Sequence, residues 1–292
     1  MFHRSSDRID LPSLPAALKR IIDITRSDDV DADNLARVVM LDQSLACKVL
    51  RLANSAYFCR RDKAETVTDA ILTLGFGYVR NLAASASVLD VLFPSYAFPG
   101  FNWQNFWRHS VTTAIASESF YSFATGCKRK SEEAAFVAGL MHDIGKLVIA
   151  RALPFRFREI VENCRERRIE MLEAETKALC TNHVFIGKQL AASWQLSDKL
   201  IAGIACHHND DSSDYPELTS AVRAANMLAK RIEDSYLIGI HPNISLNNIG
   251  KAAGLDAQSV NFVIDEVRIG LKRCGEILSW GKDMPYEMPH AA

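Results

Sequence analysis

Glu132-Glu133-Ala134-Ala135-Phe136-Val137-Ala138-Gly139-Leu140-Met141-His142-Asp143-Ile144-Gly145-Lys146-Leu147-Val148-Ile149-Ala150 is apolar at almost every position outside its first two residues and its centre. A helix that is apolar all round is a buried one. The stretch is predicted as one helix, with Ser131 able to cap it, Glu132 and Glu133 in its first turn and Pro154 beyond its end. At about 100° per residue, His142, Asp143 and Lys146 fall within an arc of roughly 100°. Gly139 falls in the same arc, where another backbone or a ligand can approach. Burying an imidazole, a carboxylate and an ammonium is costly unless they find partners or a metal. That these groups stand in the middle of the most hydrophobic helix marks a site.

Outward from this stretch the chain reads helix after helix. On the N-terminal side, apolar residues recur at helical spacing over 14–25, up to about Leu41 from a cap at Asp31 or Asp33, over 43–53 and over 67–74. A further helix is expected over 78–93, broken from the one before it at Gly75-Phe76-Gly77. Between Tyr57 and Glu65 runs a polar loop with Arg60, Arg61 and Lys63, in which Tyr57 and Phe58 beside the three bases make a candidate partner-recognition patch. Residues 94–100, with two prolines and a glycine, form the best domain boundary. The second half begins with an aromatic-rich helix over 103–123. Beyond the central stretch, helices are predicted over 155–168, 170–180, 182–193, 197–207 and 217–232. The acids and bases of the first of these alternate, which reads as a solvated face. In the tail, a short helix, Gly254 and an Asp256-capped amphipathic helix read as packing elements; Asp265 and Glu266 speak against a DNA-reading helix. No strand and no repeat is evident. The expected fold is all-α, an N-terminal bundle (10–93) packed on a larger bundle (101–235), with a C-terminal helical extension (236–292).

Composition narrows the function classes. Hydrophobic residues make up 48% and charged residues 24% of the 292, an ordinary soluble globular balance. A net charge of −1 gives no overall field for nucleic acid or an anionic membrane, so neither is expected as a partner. The polar start is unlike a secretory signal, and no apolar run approaches the roughly 18 residues that span a bilayer. Cys47, Cys59, Cys127, Cys164, Cys180, Cys206 and Cys274 are odd in number and form no C-x-x-C pair. They read as reduced thiols, and the protein as cytoplasmic.

The histidines are unevenly placed. His109, His142, His183, His207 and His208 each fall on or at the end of a second-half helix, and none lies between His3 and His109. Several helices of one bundle can aim such side chains at a shared ion. Imidazole with carboxylate suits Fe, Mn, Zn or Ni, and the cysteines offer no structural-zinc pattern. Asp143 could bridge two ions, and Lys146, one turn along, could neutralise a phosphate oxygen or a ligand carboxylate. For His109 or His183 taken alone, a hydrogen bond to a backbone carbonyl is the commoner use of a buried imidazole.

His142-Asp143-Ile144-Gly145-Lys146 resembles the signature of the HD superfamily of metal-dependent phosphohydrolases. From Leu11 to about Ile232 the chain resembles, more specifically, the HDOD domain, an HD-related output domain of bacterial signalling proteins. Leu14-Pro15, Asp42-Gln43-Ser44-Leu45, Leu50-Arg51-Leu52-Ala53-Asn54-Ser55 and Ala70-Ile71-Leu72-Thr73-Leu74-Gly75 carry the likeness in the first half, with Gln43 where proline is more usual. Residues 136–147, His183-Val184-Phe185-Ile186-Gly187, Trp194-Gln195-Leu196 and His207-His208 carry it in the second. The resemblance implies a metal set of His109, His142, Asp143, His183 and His207 or His208, with Asp143 and Lys146 as the catalytic candidates. It also implies a late acidic ligand where this chain has Asn226; that amide either takes the ligand's place as a weaker donor or hydrogen-bonds a neighbouring helix. After His207-His208 the chain reads Asn209-Asp210-Asp211, without the Gly-Tyr-Pro of cyclic-dinucleotide phosphodiesterases.

Two functions follow. The preferred one is a regulatory module that binds a signalling partner or small ligand on an HD-like scaffold that holds a divalent metal with an incomplete ligand set. The alternative is a working metal-dependent phosphohydrolase using the same His/Asp site.

Overall fold

The computed structural model of the chain describes residues 9, 11–13, 19–20, 32–41, 43–54, 63–76, 79, 83, 101–126, 132–208, 213–232 and 244–273. Among these residues every regular element is a helix. The stripe over 14–25 (apart from residues 19–20), nearly all of the helix over 78–93, the boundary at 94–100 and Tyr57, Phe58, Arg60 and Arg61 lie outside the described residues, as does the Ser131 cap; Lys63 is exposed.

Three short helices form the described part of the N-terminal module. α1 (Ala32–Met40) buries Leu35, Ala36 and Val39, and α2 (Gln43–Ala53) buries Leu45, Val49, Leu52 and Ala53. Asn54 then ties down the returning chain through both ends of its amide: Nδ2 donates to the Ala64 carbonyl at 2.9 Å, and the Ala64 N–H donates to Oδ1 at 2.8 Å. α3 (Val67–Leu74) starts at a reciprocal cap in which the Asp69 N–H donates to Thr66 Oγ1 and the Thr66 N–H donates to Asp69 Oδ2. The apolar faces of all three helices join a hydrophobic core that runs on through Phe101, Trp107, Phe136, Leu147, Phe157 and Trp194 of the second half.

The second half is built around α4 (Trp103–Thr125), capped by the Asn102 side chain and ended by left-handed Gly126. It is buried on nearly every side because it separates two cores. One is shared with the N-terminal helices; the other is made with α5 (Glu132–Met141), α11 (Pro216–Ile232), α12 (Leu246–Ala253) and α13 (Ala257–Arg273). α6 (Ile144–Ala152) continues into α7 (Pro154–Arg167), whose exposed ion pairs Arg156–Glu159 and Arg158–Glu162 bear out the solvated-face reading. α8 (Met171–Leu179), α9 (His183–Ser193) and α10 (Asp198–Ala205) complete the bundle, α9 packing on α6 and α10 on α5 and α9.

One expectation is corrected. The central stretch is two helices, α5 and α6, separated by a turn at His142-Asp143. The His142 ring takes the Gly139 carbonyl, 2.7 Å from Nδ1, as its hydrogen-bond acceptor. In an uninterrupted helix that carbonyl faces the N–H of residue 143. Asp143 sits in the bridge region (φ −97°, ψ 12°) and its carbonyl restarts the chain by accepting from the Lys146 N–H at 2.9 Å. All residues from Ile144 to Ala150 are buried, so the stretch keeps its buried character through the break.

Gly145 fixes the distance between α6 and α9. A Cβ built there would lie 1.9 Å from the His183 carbonyl oxygen and 2.9 Å from the Gly187 nitrogen, both backbone atoms with little room to move. Gly145→Ala should lower stability by about 3 kcal/mol through this overlap. Gly126→Ala, with nothing within 4 Å but a φ of 63°, should cost about 1 kcal/mol. Urea denaturation of both variants checks the ranking, and equal losses would show that α6 and α9 are less closely apposed.

Candidate metal centre

The break between α5 and α6 places two polar side chains on a turn inside the core. Asp143 is 1% exposed and His142 fully buried. From the second turn of α4 comes His109, from the start of α9 His183, and from just beyond the end of α10 His207 and His208. All six candidate metal residues named from the sequence stand together. The ligand atoms of His109, His142 and Asp143 lie within 4.8 Å of one another, and so do those of Asp143, His183, His207 and His208. Asp143 belongs to both groups.

The two carboxylate oxygens face different ways. Oδ2 lies 3.3 Å from His142 Nε2 and 3.9 Å from His109 Nε2; Oδ1 lies 3.3 Å from His183 Nε2 and 3.5 Å from His207 Nε2. Hydrogen bonds fix the tautomers of three of these rings. A carbonyl only accepts, so Nδ1 of His142 donates to Gly139 and Nδ1 of His207 donates to Ile204, each at 2.7 Å. His183 Nδ1 donates likewise to Glu175 Oε2 at 2.5 Å, and the His183 N–H donates to the same oxygen at 2.8 Å. With the proton on Nδ1, each neutral ring turns an Nε2 lone pair towards Asp143. Acceptors therefore face acceptors around one buried carboxylate, an arrangement that a shared cation satisfies. The spacing fits: ligands 2.0–2.1 Å from a tetrahedral ion stand about 3.4 Å apart.

The electrostatics keep these groups in their ligand forms. Burial alone would raise the Asp143 pKa, but its electrostatic interactions with His142 and then with the Lys146 ammonium hold it well below the usual carboxylate range. Burial pushes His207 down to about 3 and drives His109 and His208 well below the ordinary imidazole value, each helped by neighbouring rings. Lys146, the candidate anion-stabilising residue, donates from Nζ to Asp143 Oδ2 at 2.5 Å.

Three residues complete the surroundings. Glu175, fully buried on α8, was not anticipated from the sequence, although it lies on the apolar stripe of Met171 and Leu179 where a carboxylate is out of place. Lys230 was also missed. It is half-buried one turn beyond Asn226 on α11, and loss of hydration and then repulsion by Lys146 lower its pKa, while Asp143 partly offsets them. Asn226 itself is buried and its Oδ1 makes no hydrogen bond.

The signs of these shifts give a pH profile for the metal-free protein. His109, His207 and His208 have folded-state values below the ordinary 6.5, so as pH falls the unfolded chain takes up protons first. Their contribution is intact above about pH 6.5 and is lost below it, by up to about 1.4 kcal/mol per pH unit for each ring. The contribution of Asp143 is present above about pH 3.8 and is lost only as pH falls further, so the rings set the slope between about pH 6 and 4.5. Urea midpoints across that range check this, and a flat profile would show that the rings are protonated in the fold.

Comparison with known proteins places the chain. A protein of Treponema pallidum (strain Nichols) described as uncharacterized is 27% identical over 236 residues, covering 78% of this chain and 44% of that protein, so this chain spans less than half of its relative's length. Among solved structures, a proposed signal transduction protein of Marinobacter aquaeolei VT8 superposes with a TM-score of 0.75 at 23% identity, covering 97% of this chain and 62% of the other. A proposed phosphohydrolase of Shewanella amazonensis SB2B gives 0.71 at 24%, covering 94% and 95%. At these identities the likeness is one of fold. The HDOD domain model matches residues 11–210, about two thirds of the chain and every residue of the cluster from His109 to His208. The chain belongs to the HDOD domain family.

Proposed function

We propose that this chain is a bacterial signalling module that works by binding, with a divalent metal ion held in its second half as part of the scaffold. The observation that carries this reading is the burial of the cluster: His109, His142, Asp143, Lys146, His183 and His207 are each 4% exposed or less. Among the described residues an ion held there would be largely enclosed, with His208 alone of the six candidate metal residues partly exposed, whereas turnover of a phosphoester needs an open path for substrate and product. The ion's ligands would come from among His109, His142, Asp143, His183, His207 and His208, and imidazoles with one carboxylate suit Fe, Mn, Zn or Ni. When bound, such an ion supplies Lewis acidity and a large local charge.

The N-terminal helices would meet the partner. Met40 and Leu41 at the end of α1 and Leu72 on α3 are each more than half exposed, a use of large apolar side chains that suits a recognition surface. No helix among the described residues is long and apolar enough to cross a membrane.

The alternative, a metal-dependent phosphohydrolase, draws support from the Lys146 ammonium on Asp143, with a second lysine, Lys230, near enough to feel that carboxylate's charge. One pair of measurements separates the readings. Protein purified without added metal should contain Fe, Mn, Zn or Ni by elemental analysis, and with Mn or Fe added it should turn over neither cyclic di-GMP nor an aryl phosphate. Turnover that disappears in the His142→Ala, Asp143→Ala double variant would establish the enzyme instead.

A further inference from the structure

The two halves of the cluster are not equivalent as metal positions. The first consists of His109, His142 and Asp143 Oδ2. The second consists of Asp143 Oδ1, His183, His207 and His208. Resting on the metal-holding reading above, we infer that the chain binds a single ion at the second position and that the Lys146 ammonium takes the place of a cation at the first.

Three observations carry this. First, Oδ2 is already engaged: Lys146 Nζ donates to it at 2.5 Å within the protein interior. An ion at the first position would compete with a fixed positive charge for the one anionic oxygen there, and Lys146 would stand against it. Oδ1 points to the other side, where His183 Nε2 and His207 Nε2 lie 3.3 and 3.5 Å away.

Second, negative charge is placed behind the second position. Glu175 Oε2 accepts from both His183 Nδ1 and the His183 N–H, while Oε1, also buried, makes no hydrogen bond. A carboxylate on the far nitrogen fixes the ring and raises its basicity as a ligand. On the first side, the His142 ring is fixed by the neutral Gly139 carbonyl.

Third, the second position offers four donors from three elements. His183 Nε2 lies 3.3 Å from both Asp143 Oδ1 and His208 Nε2. His207 Nε2 lies 3.5 Å from the same carboxylate oxygen and makes no hydrogen bond. These separations are close to the roughly 3.4 Å edge of a tetrahedral divalent site with 2.0–2.1 Å bonds. The first position has similar separations, 3.3, 3.3 and 3.9 Å, but only three donors.

The test is a titration of chelator-stripped full chain with Co(II), read by its d–d absorption and by calorimetric stoichiometry. One equivalent should bind. His183→Ala and His208→Gln should each weaken it by more than about 100-fold, Glu175→Gln by about 10- to 100-fold, and His109→Ala by no more than about threefold. Lys146→Met should raise the stoichiometry from one to two, a gain that misfolding cannot imitate. Two equivalents in the unmodified chain, or binding that survives His183→Ala and is lost in His109→Ala, would overturn this assignment while leaving the metal-holding reading in place. No Co(II) binding at all would overturn both.

Discussion

The structure turns on the Asp143 carboxylate, which sits in the protein interior with an ammonium on one oxygen and imidazole nitrogens around both. An ionised carboxylate away from water is tolerable only when surrounding groups replace its hydration. Here the Lys146 ammonium does so at Oδ2, and the lone pairs that turn towards the carboxylate with it, which a shared cation would satisfy, come from four parts of the chain: α4 through His109, the α5–α6 turn through His142, the start of α9 through His183 and the end of α10 through His207. The geometry of the bundle is therefore tied to the electrostatics of one side chain. A displacement of any of these elements leaves charge or lone pairs facing low-dielectric surroundings.

Backbone devices hold that arrangement. At the ends of α5 and α10 the same pattern recurs: an imidazole three residues on takes a last-turn carbonyl through Nδ1, Gly139 for His142 and Ile204 for His207. Each bond satisfies a terminal carbonyl of a helix and aims Nε2 inward. Gly145 then lets α6 meet the His183 backbone directly, and Gly139 lets α5 meet α4 at Thr113 and Ala114. Both glycines are needed because a side chain at either would force apart the elements that carry the cluster.

Much of this was legible in the sequence. The helical periodicity located nearly every described helix to within a few residues, since each buries one apolar face and side-chain spacing reports that face directly. The unequal distribution of histidines and the polar triad in an apolar stretch pointed to the cluster, because buried polar groups are costly and stand where they are used. The break at His142-Asp143 was not legible. Its apolar flanks read as one continuous helix, and the competing hydrogen bond from the His142 ring appears only once that ring is positioned.

What the sequence by itself determined was the all-α class and the order of helices, through local spacing, and the six clustered residues, through the uneven histidines, the buried polar triad and the resemblance to the HDOD domain. The tertiary structure alone decided how those residues divide around Asp143, that Lys146 holds one of its oxygens, and that Glu175 stands behind His183. Sequence spacing fixes which residues share a face of one helix. The meeting of α4, α8, α9 and α10 depends on how whole helices pack, and no pattern within a single helix records it.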